Sequence, residues 1–199
     1  ILSIIGEIGV DGGTAHAIEF RGSAIASLSM EERMTICNMA IEGGARAGMI
    51  APDDTTYEYL AGRSYVPSGA DWDRAIAEWR QLPGDPDASF DKQVTLDVSK
   101  MTPMVTFGTN PGMVISIDEP VPAPVGNDEA FAKALGYMQL ESGKPISGTP
   151  VDIVFLGSCT NSRLSDLEIA ADLLEGRHIA NDVRMLVVPG SQQIKNDAE

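Results

Sequence analysis

Near the end of the chain two apolar runs, Val151-Asp152-Ile153-Val154-Phe155-Leu156 and residues 183–188, flank a segment of helical periodicity from Leu164 to Glu175. An intervening helix excludes a tight hairpin, so the two runs must pair side by side and in parallel. Strands of parallel sheets are covered on both faces and therefore read as nearly continuous apolar runs, as these do. Pro189-Gly190-Ser191 then turns into another helix. The order strand–helix–strand–helix defines an α/β fold.

The preceding residues obey the same alternation. Ile1, Ile4, Ile5 and Ile8 have helical spacing, stopped by Gly9 and Gly12-Gly13. His16, Ile18 and Phe20 alternate over 14–21 and predict a strand. Ser29-Met30-Glu31-Glu32 has the capping-box form and opens a helix running through Cys37, Asn38, Ile41 and Glu42 to Gly43-Gly44. A short strand over 47–50 follows, then helices near 54–61 and 71–81. The second carries Trp72, Ile76 and Trp79 on one stripe. Val94, Leu96 and Val98 alternate and predict a further strand. Pro120, Pro122 and Pro124 favour extended geometry, so 118–127 reads as a linker before a helix over 128–140. The expected organisation is an α/β domain over 1–117, a linker and connecting helix over 118–150, and the start of a second α/β domain over 151–199.

Charge and cysteine content narrow the function classes. The 29 acidic and 14 basic side chains give a formal net charge of −15. Such a field repels phosphate backbones and anionic lipid heads, so nucleic-acid and membrane-surface binding are disfavoured. No apolar run of ~18 residues is present to span a bilayer. The two cysteines, Cys37 and Cys159, cannot form a disulfide framework for 199 residues. A reducing, cytoplasmic setting is the expectation. The chain opens on Ile1 without an initiator methionine and stops just after Ser191 caps a helix, so an internal piece of a longer protein is expected.

Few residues are candidates for chemistry. Cys159 lies in a polar turn, Gly157-Ser158-Cys159-Thr160-Asn161-Ser162-Arg163, between a strand and a helix. Ligands gather beyond the carboxyl ends of parallel strands, and a helix N-terminus stabilises a thiolate. The pattern suits a soft-metal ligand, a nucleophile or an inert half-buried thiol. Only His16 and His178 exist, neither close in sequence, so a Cys–His nucleophile pair is poorly supported. Cys37 sits mid-helix between Ile36 and Met39 and reads as a small core hydrophobe. Asn38 and Glu42, four apart, share a helix face and suit either a ligand or a solvated surface. His16 reads as a packed or rim histidine. Gly108-Thr109-Asn110-Pro111-Gly112 reads as a turn, without the lysine of a phosphate loop.

Three of these segments resemble a known family. Residues 31–42, Glu-Glu-Arg-Met-Thr-Ile-Cys-Asn-Met-Ala-Ile-Glu, resemble a motif of the aconitase superfamily. Residues 43–56, Gly-Gly-Ala-Arg-Ala-Gly-Met-Ile-Ala-Pro-Asp-Asp-Thr-Thr, resemble its isopropylmalate dehydratase branch. Residues 156–162, Leu-Gly-Ser-Cys-Thr-Asn-Ser, are similar to the superfamily's first cluster-ligand motif. The resemblance implies aconitase-like parallel and mixed sheets flanked by helices, in two partial or small domains. It implies a hydro-lyase that interconverts 2-isopropylmalate and 3-isopropylmalate in leucine biosynthesis, with a [4Fe–4S] cluster in the full-length enzyme. Cys159 would be the first of three cysteine ligands, the other two lying in a Cys-x-x-Cys motif past residue 199. Asn38 and Glu42 would stand beside the cluster, the glutamate facing water or hydroxide. Catalytic histidines would precede Ile1, and a small-subunit partner would bring a serine and an arginine. The 199 residues alone would then hold no intact cluster and show no activity. Homoaconitase or another aconitase-type hydro-lyase is the alternative enzyme, a ligand-free α/β scaffold the alternative of another class. RNA binding, as in iron-regulatory relatives, is disfavoured by the charge.

Overall fold

A computed structural model describes residues 1–126, 128–158 and 160–199. The chain separates into two compact units, one of Ile1–Thr106 with Asn110–Val114 and one of Phe107–Thr109 with Ile115–Glu199. Among the described residues there are three two-stranded sheets, with helices between the strands. This is the mixed α/β architecture predicted from the alternation of apolar patterns.

Unit 1 opens with α1 (Leu2–Ile8), which ends at Gly9 as the periodicity predicts. Strand β1 (Ala17–Glu19) pairs in parallel with β2 (Ala47–Met49), aligning Ile18 with Gly48. Between them lie α2 (Ser23–Ala26), α3 (Met30–Met39) and a 3-10 turn, Ala40–Gly43. The N-terminus of α3 is closed as its sequence dictates. Glu32 N–H donates to Ser29 Oγ at 3.3 Å, and Ser29 N–H donates to Glu32 Oε2 at 2.8 Å. Phe20, Ala40 and Ala45 form the buried cluster, ringed by isoleucines and by Cys37. Helices α4 (Asp54–Leu60) and α5 (Ala70–Trp79) follow. The predicted stripe of α5 is real: Trp79 stacks on Tyr57 at 6.2 Å and meets Trp72 edge-on at 5.8 Å.

Two expectations fail here. Residues 94–98 form no strand; Val94 and Val98 are exposed, and alternation without a pairing partner leaves extended coil. The predicted strand over 14–21 shrinks to three residues, because 11–15 is used up in turns.

The chain adds β3 (Met104–Thr106) and β4 (Val114–Ser116). In unit 2, the middle of the proline-rich stretch is tied down. Val121 is 2% exposed, its N–H donates to Lys144 O at 2.9 Å, and its carbonyl accepts from Gly143 N–H at 2.7 Å. Asp128 caps α6 (Glu129–Met138) by accepting from Phe131 N–H, and Phe131 packs on Phe107 at 5.8 Å. Strand β5 (Ile153–Gly157) then pairs in parallel with β6 (Arg184–Val188) across α7 (Leu164–Leu174). Ser191 caps α8 (Gln192–Ala198), accepting from Ile194 N–H at 3.1 Å. The strand–helix–strand–helix order is the one read from the sequence.

Candidate active site

In unit 1 the candidate residues lie at the C-terminal end of α3. Asn38 is exposed on its last turn. Glu42 is exposed too, but the α-helix has ended at Met39 and Glu42 belongs to the 3-10 turn. The tighter winding, 3.0 residues per turn, carries Glu42 further round the axis than the expected i, i+4 face. The turn is anchored by its neighbours: Ala40 is 1% exposed and Gly43 is buried. It closes at Gly44, whose φ of +85° is left-handed and suits glycine.

Two loops brace that end of α3. Gly13 N–H donates to Gly43 O at 2.8 Å, and Ala45 N–H donates to Ala40 O at 3.2 Å. Strand β2 runs so close to α3 that a Cβ on Gly48 would sit 2.8 Å from Cys37 O and 2.9 Å from Cys37 Cα. Cys37 itself packs on the buried cluster, as expected of a core thiol, and burial pushes its ionisation above the usual thiol range. It also lines an open cleft of about 560 Å³ with Met30, Met34, Met49 and Leu82.

The start of α3 is held by a residue the sequence reading passed over. Arg33 is 3% exposed, donating from Nε to Leu28 O at 3.0 Å and from NH2 to Ala26 O at 2.9 Å. Its NH1 meets Asp53 Oδ1 at 2.6 Å. Asp53 in turn caps α4 by accepting from Thr56 N–H. The Arg33 hydrogen bond holds the Asp53 carboxyl below its ordinary range, partial burial opposing and the Thr56 N–H assisting. The available signal was an arginine one turn into a capped helix, beside Met34. A buried guanidinium needs an acceptor at each nitrogen, and two carbonyls and a carboxylate supply one apiece.

In unit 2 the turn after β5 is equally determined at its described residues. Cys159 itself lies outside them. Gly157 and Ser158 both have positive φ, +122° and +105°. A Cβ on Gly157 would sit 2.2 Å from Val188 O, so only glycine lets β5 end against β6 there. Ser162, 3% exposed, donates from Oγ to Val188 O at 2.7 Å and accepts at its carbonyl from Gly190 N–H at 2.9 Å. Ser158 N–H also donates to Val188 O, at 3.3 Å. Ser158 and Ser162 are thus both clipped to Val188 at the carboxyl end of the parallel pair. Arg163 N–H donates to Asp166 Oδ2 and opens α7. Among the described residues no three His, Cys, Asp or Glu side chains converge as a metal site. His16 sits half-buried at the entry to β1, its Nδ1 2.7 Å from Thr14 O. No helix among the described residues is long and apolar enough to cross a membrane.

Parallel strand pairs joined through helices, with Gly157 closing the carboxyl end of one pair, define an α/β protein. A family model, the aconitase family (aconitate hydratase), matches residues 1–199, and the chain belongs to that family. It is 60% identical over 204 residues to the "3-isopropylmalate dehydratase large subunit" of Roseiflexus castenholzii (strain DSM 13941 / HLO8), covering all of this chain and 43% of that relative. It is 56% identical over 203 residues to the protein of the same name from Solibacter usitatus (strain Ellin6076), covering all of this chain and 44% of the relative. The chain therefore spans less than half the length of the curated relatives it matches.

Proposed function

We propose that this chain contributes to a hydro-lyase that interconverts 2-isopropylmalate and 3-isopropylmalate by dehydration and rehydration, within leucine biosynthesis. The observation that carries the reading is identity of 56–60% across its whole length to two large subunits bearing that name. In this reading the protein works with a small subunit and a [4Fe–4S] cluster. The donor chemistry fits in part. Cys159 offers a soft sulfur donor, its sequence neighbour Ser158 is held at the end of β5, and two further cysteines must come from elsewhere, since Cys37 packs on the unit 1 core. When bound, the cluster supplies a Lewis acid that weakens the substrate's carbon–oxygen bond.

The chain's own residues have simpler tasks. Cys159 holds the cofactor. Glu42 gives a proton to the departing hydroxyl, forming water, while a base of the small subunit takes the proton from the adjacent carbon; both protons return on rehydration. Asn38, on the preceding turn, orients that water by hydrogen bonding. Exposure of both side chains on a fixed turn supports these roles, because a proton-handling group must reach the substrate while its backbone stays still.

The test is turnover by the full-length protein with its small subunit after anaerobic cluster reconstitution. Interconversion of the isopropylmalates is expected. Turnover of homocitrate and not of isopropylmalate would assign the chain to a homoaconitase instead.

A further inference from the structure

The crowding of glycines around the end of α3 has a consequence for the two polar side chains it carries. Glycine 44 is crowded as well as left-handed: a Cβ there would lie 2.8 Å from Val10 O, 2.9 Å from Thr14 Oγ1 and 3.2 Å from Asp11 Cα. A Cβ on Gly13 would lie 2.9 Å from Gly43 O and 3.0 Å from Ala45 N. On Gly48 it would meet Cys37 backbone, the residue before Asn38, and Ala40 Cβ at 2.8 Å. Most of these neighbours are backbone atoms, which cannot step aside as a flexible side chain would. By contrast Gly9 and Gly62, with φ of +78° and +73°, have nothing within 4 Å. Those two satisfy a turn; the other three permit contact.

We propose that Gly13, Gly44 and Gly48 are positioning residues that clamp the 3-10 turn and the last turn of α3, setting where Glu42 and Asn38 point. The clamp bears on the Glu42 turn from both sides. The 10–14 loop presses on Gly43-Gly44, and β2 presses on the backbone of Cys37. A methyl at either contact must push the turn outward. Misplacement of a reacting group by ~1 Å is sufficient to cost on the order of 10²-fold in rate. The inference rests on the proposed role of Glu42 and makes its own demand.

Gly44→Ala, Gly48→Ala and Gly62→Ala are compared in the full-length two-subunit enzyme. Turnover is normalised to iron and sulfide content. In Gly44→Ala and Gly48→Ala, kcat should fall about 10²-fold. KM, cluster content and the pH limbs of the rate should stay unchanged, since the carboxyl is displaced and not removed. Gly62→Ala carries the left-handed strain of Gly44→Ala without a contact and should turn over normally, while Gly48 has the contact without the strain. Normal kcat in folded Gly44→Ala and Gly48→Ala overturns the clamp. So does a loss in Gly62→Ala equal to that in Gly44→Ala, which would make left-handed strain sufficient there. Should the crowded variants fail to fold, hydrogen exchange in the unsubstituted enzyme decides. Slow exchange at the Gly13 and Ala45 amides supports the clamp; exchange as fast as at Gly62 overturns it. Failure of the underlying reading looks different: Glu42→Gln would then turn over normally, whatever the glycine variants do.

Discussion

Strands β1 and β2 in unit 1 and strands β5 and β6 in unit 2 are both parallel pairs with regular register, yet they are buried very differently. The first pair is three residues long and lies under α3, with Phe20 and Ala45 in the cluster beside it. The second is five residues long and far more apolar, but Ile153 is 58% and Phe155 57% exposed. Neither α7 nor α8 has a buried residue. Over these 199 residues, which span less than half the length of the curated relatives, β5 and β6 hold their register through hydrogen bonds, whereas β1 and β2 also pack against a helix. Gly48 makes that packing possible: it lets the helix backbone come down onto the strand.

The contrast is sharpest in catalysis, where the two units should fail in different ways. Cys159→Ser in the full-length enzyme should lose the cluster, read as iron and sulfide, and with it all turnover. Glu42→Gln keeps size and removes basicity; its loss should fall on kcat, on the order of the 10²–10⁴-fold of a general acid–base group, with the cluster retained. Normal rates for Glu42→Gln at full cluster content would place Glu42 on a solvated face.

Stability should divide along the same line. Phe20→Ala removes a ring that is 6% exposed and should cost about 3–5 kcal/mol in urea unfolding. Phe155→Ala, measured on these 199 residues, removes one that stands half in water there and should cost about 1 kcal/mol. Equal costs would mean that β5 is covered as completely as the unit 1 cluster.

Arg33→Ala strips three acceptors of their donor and should cost about 2–3 kcal/mol, less than a fully buried pair because Asp53 is 43% exposed and screened by water. A dependence on pH follows from the direction of the Asp53 shift. Its folded carboxyl ionises below the unfolded value, so its stabilisation is complete above the ordinary carboxylate range. That stabilisation is lost as pH falls through the folded value. Asp53→Asn should flatten this acid limb and leave stability at pH 9 displaced by a constant amount. An unaltered limb would assign it to other carboxylates.

Ser162→Ala should have an effect as small as that of Phe155→Ala, about 1 kcal/mol, because Ser158 N–H still donates to Val188 O. Because Ser162 lies three residues from the proposed ligand Cys159 in sequence, retention of the proposed cluster in the same variant is the more telling measurement. Near-normal stability with impaired cluster retention would show that the clip serves the turn and not the fold.

Much of this molecule was legible in local pattern. The Ser29–Glu32 box, the Trp72–Ile76–Trp79 stripe, the run ending in Gly157 and the Ser191 cap each depend on residues within a few positions of one another. Their physics is local: caps bind the nearest amides, and periodicity sorts one face from the other. Position and spacing made Asn38, Glu42 and Cys159 candidates but left inert readings equally open; the roles expected of them came from motif resemblance. What only the tertiary structure decided depends on partners far along the chain. Residues 94–98 alternate like a strand but find no ladder. Arg33 is buried only because Asp53, twenty positions on, arrives to meet it. Gly48 matters only because Cys37 backbone lies against it, and Glu42 leaves the α-helix where Gly13 reaches in to hold Gly43. Pattern specifies what a segment prefers by itself; which atoms stand within 3 Å of it is settled by the rest of the chain.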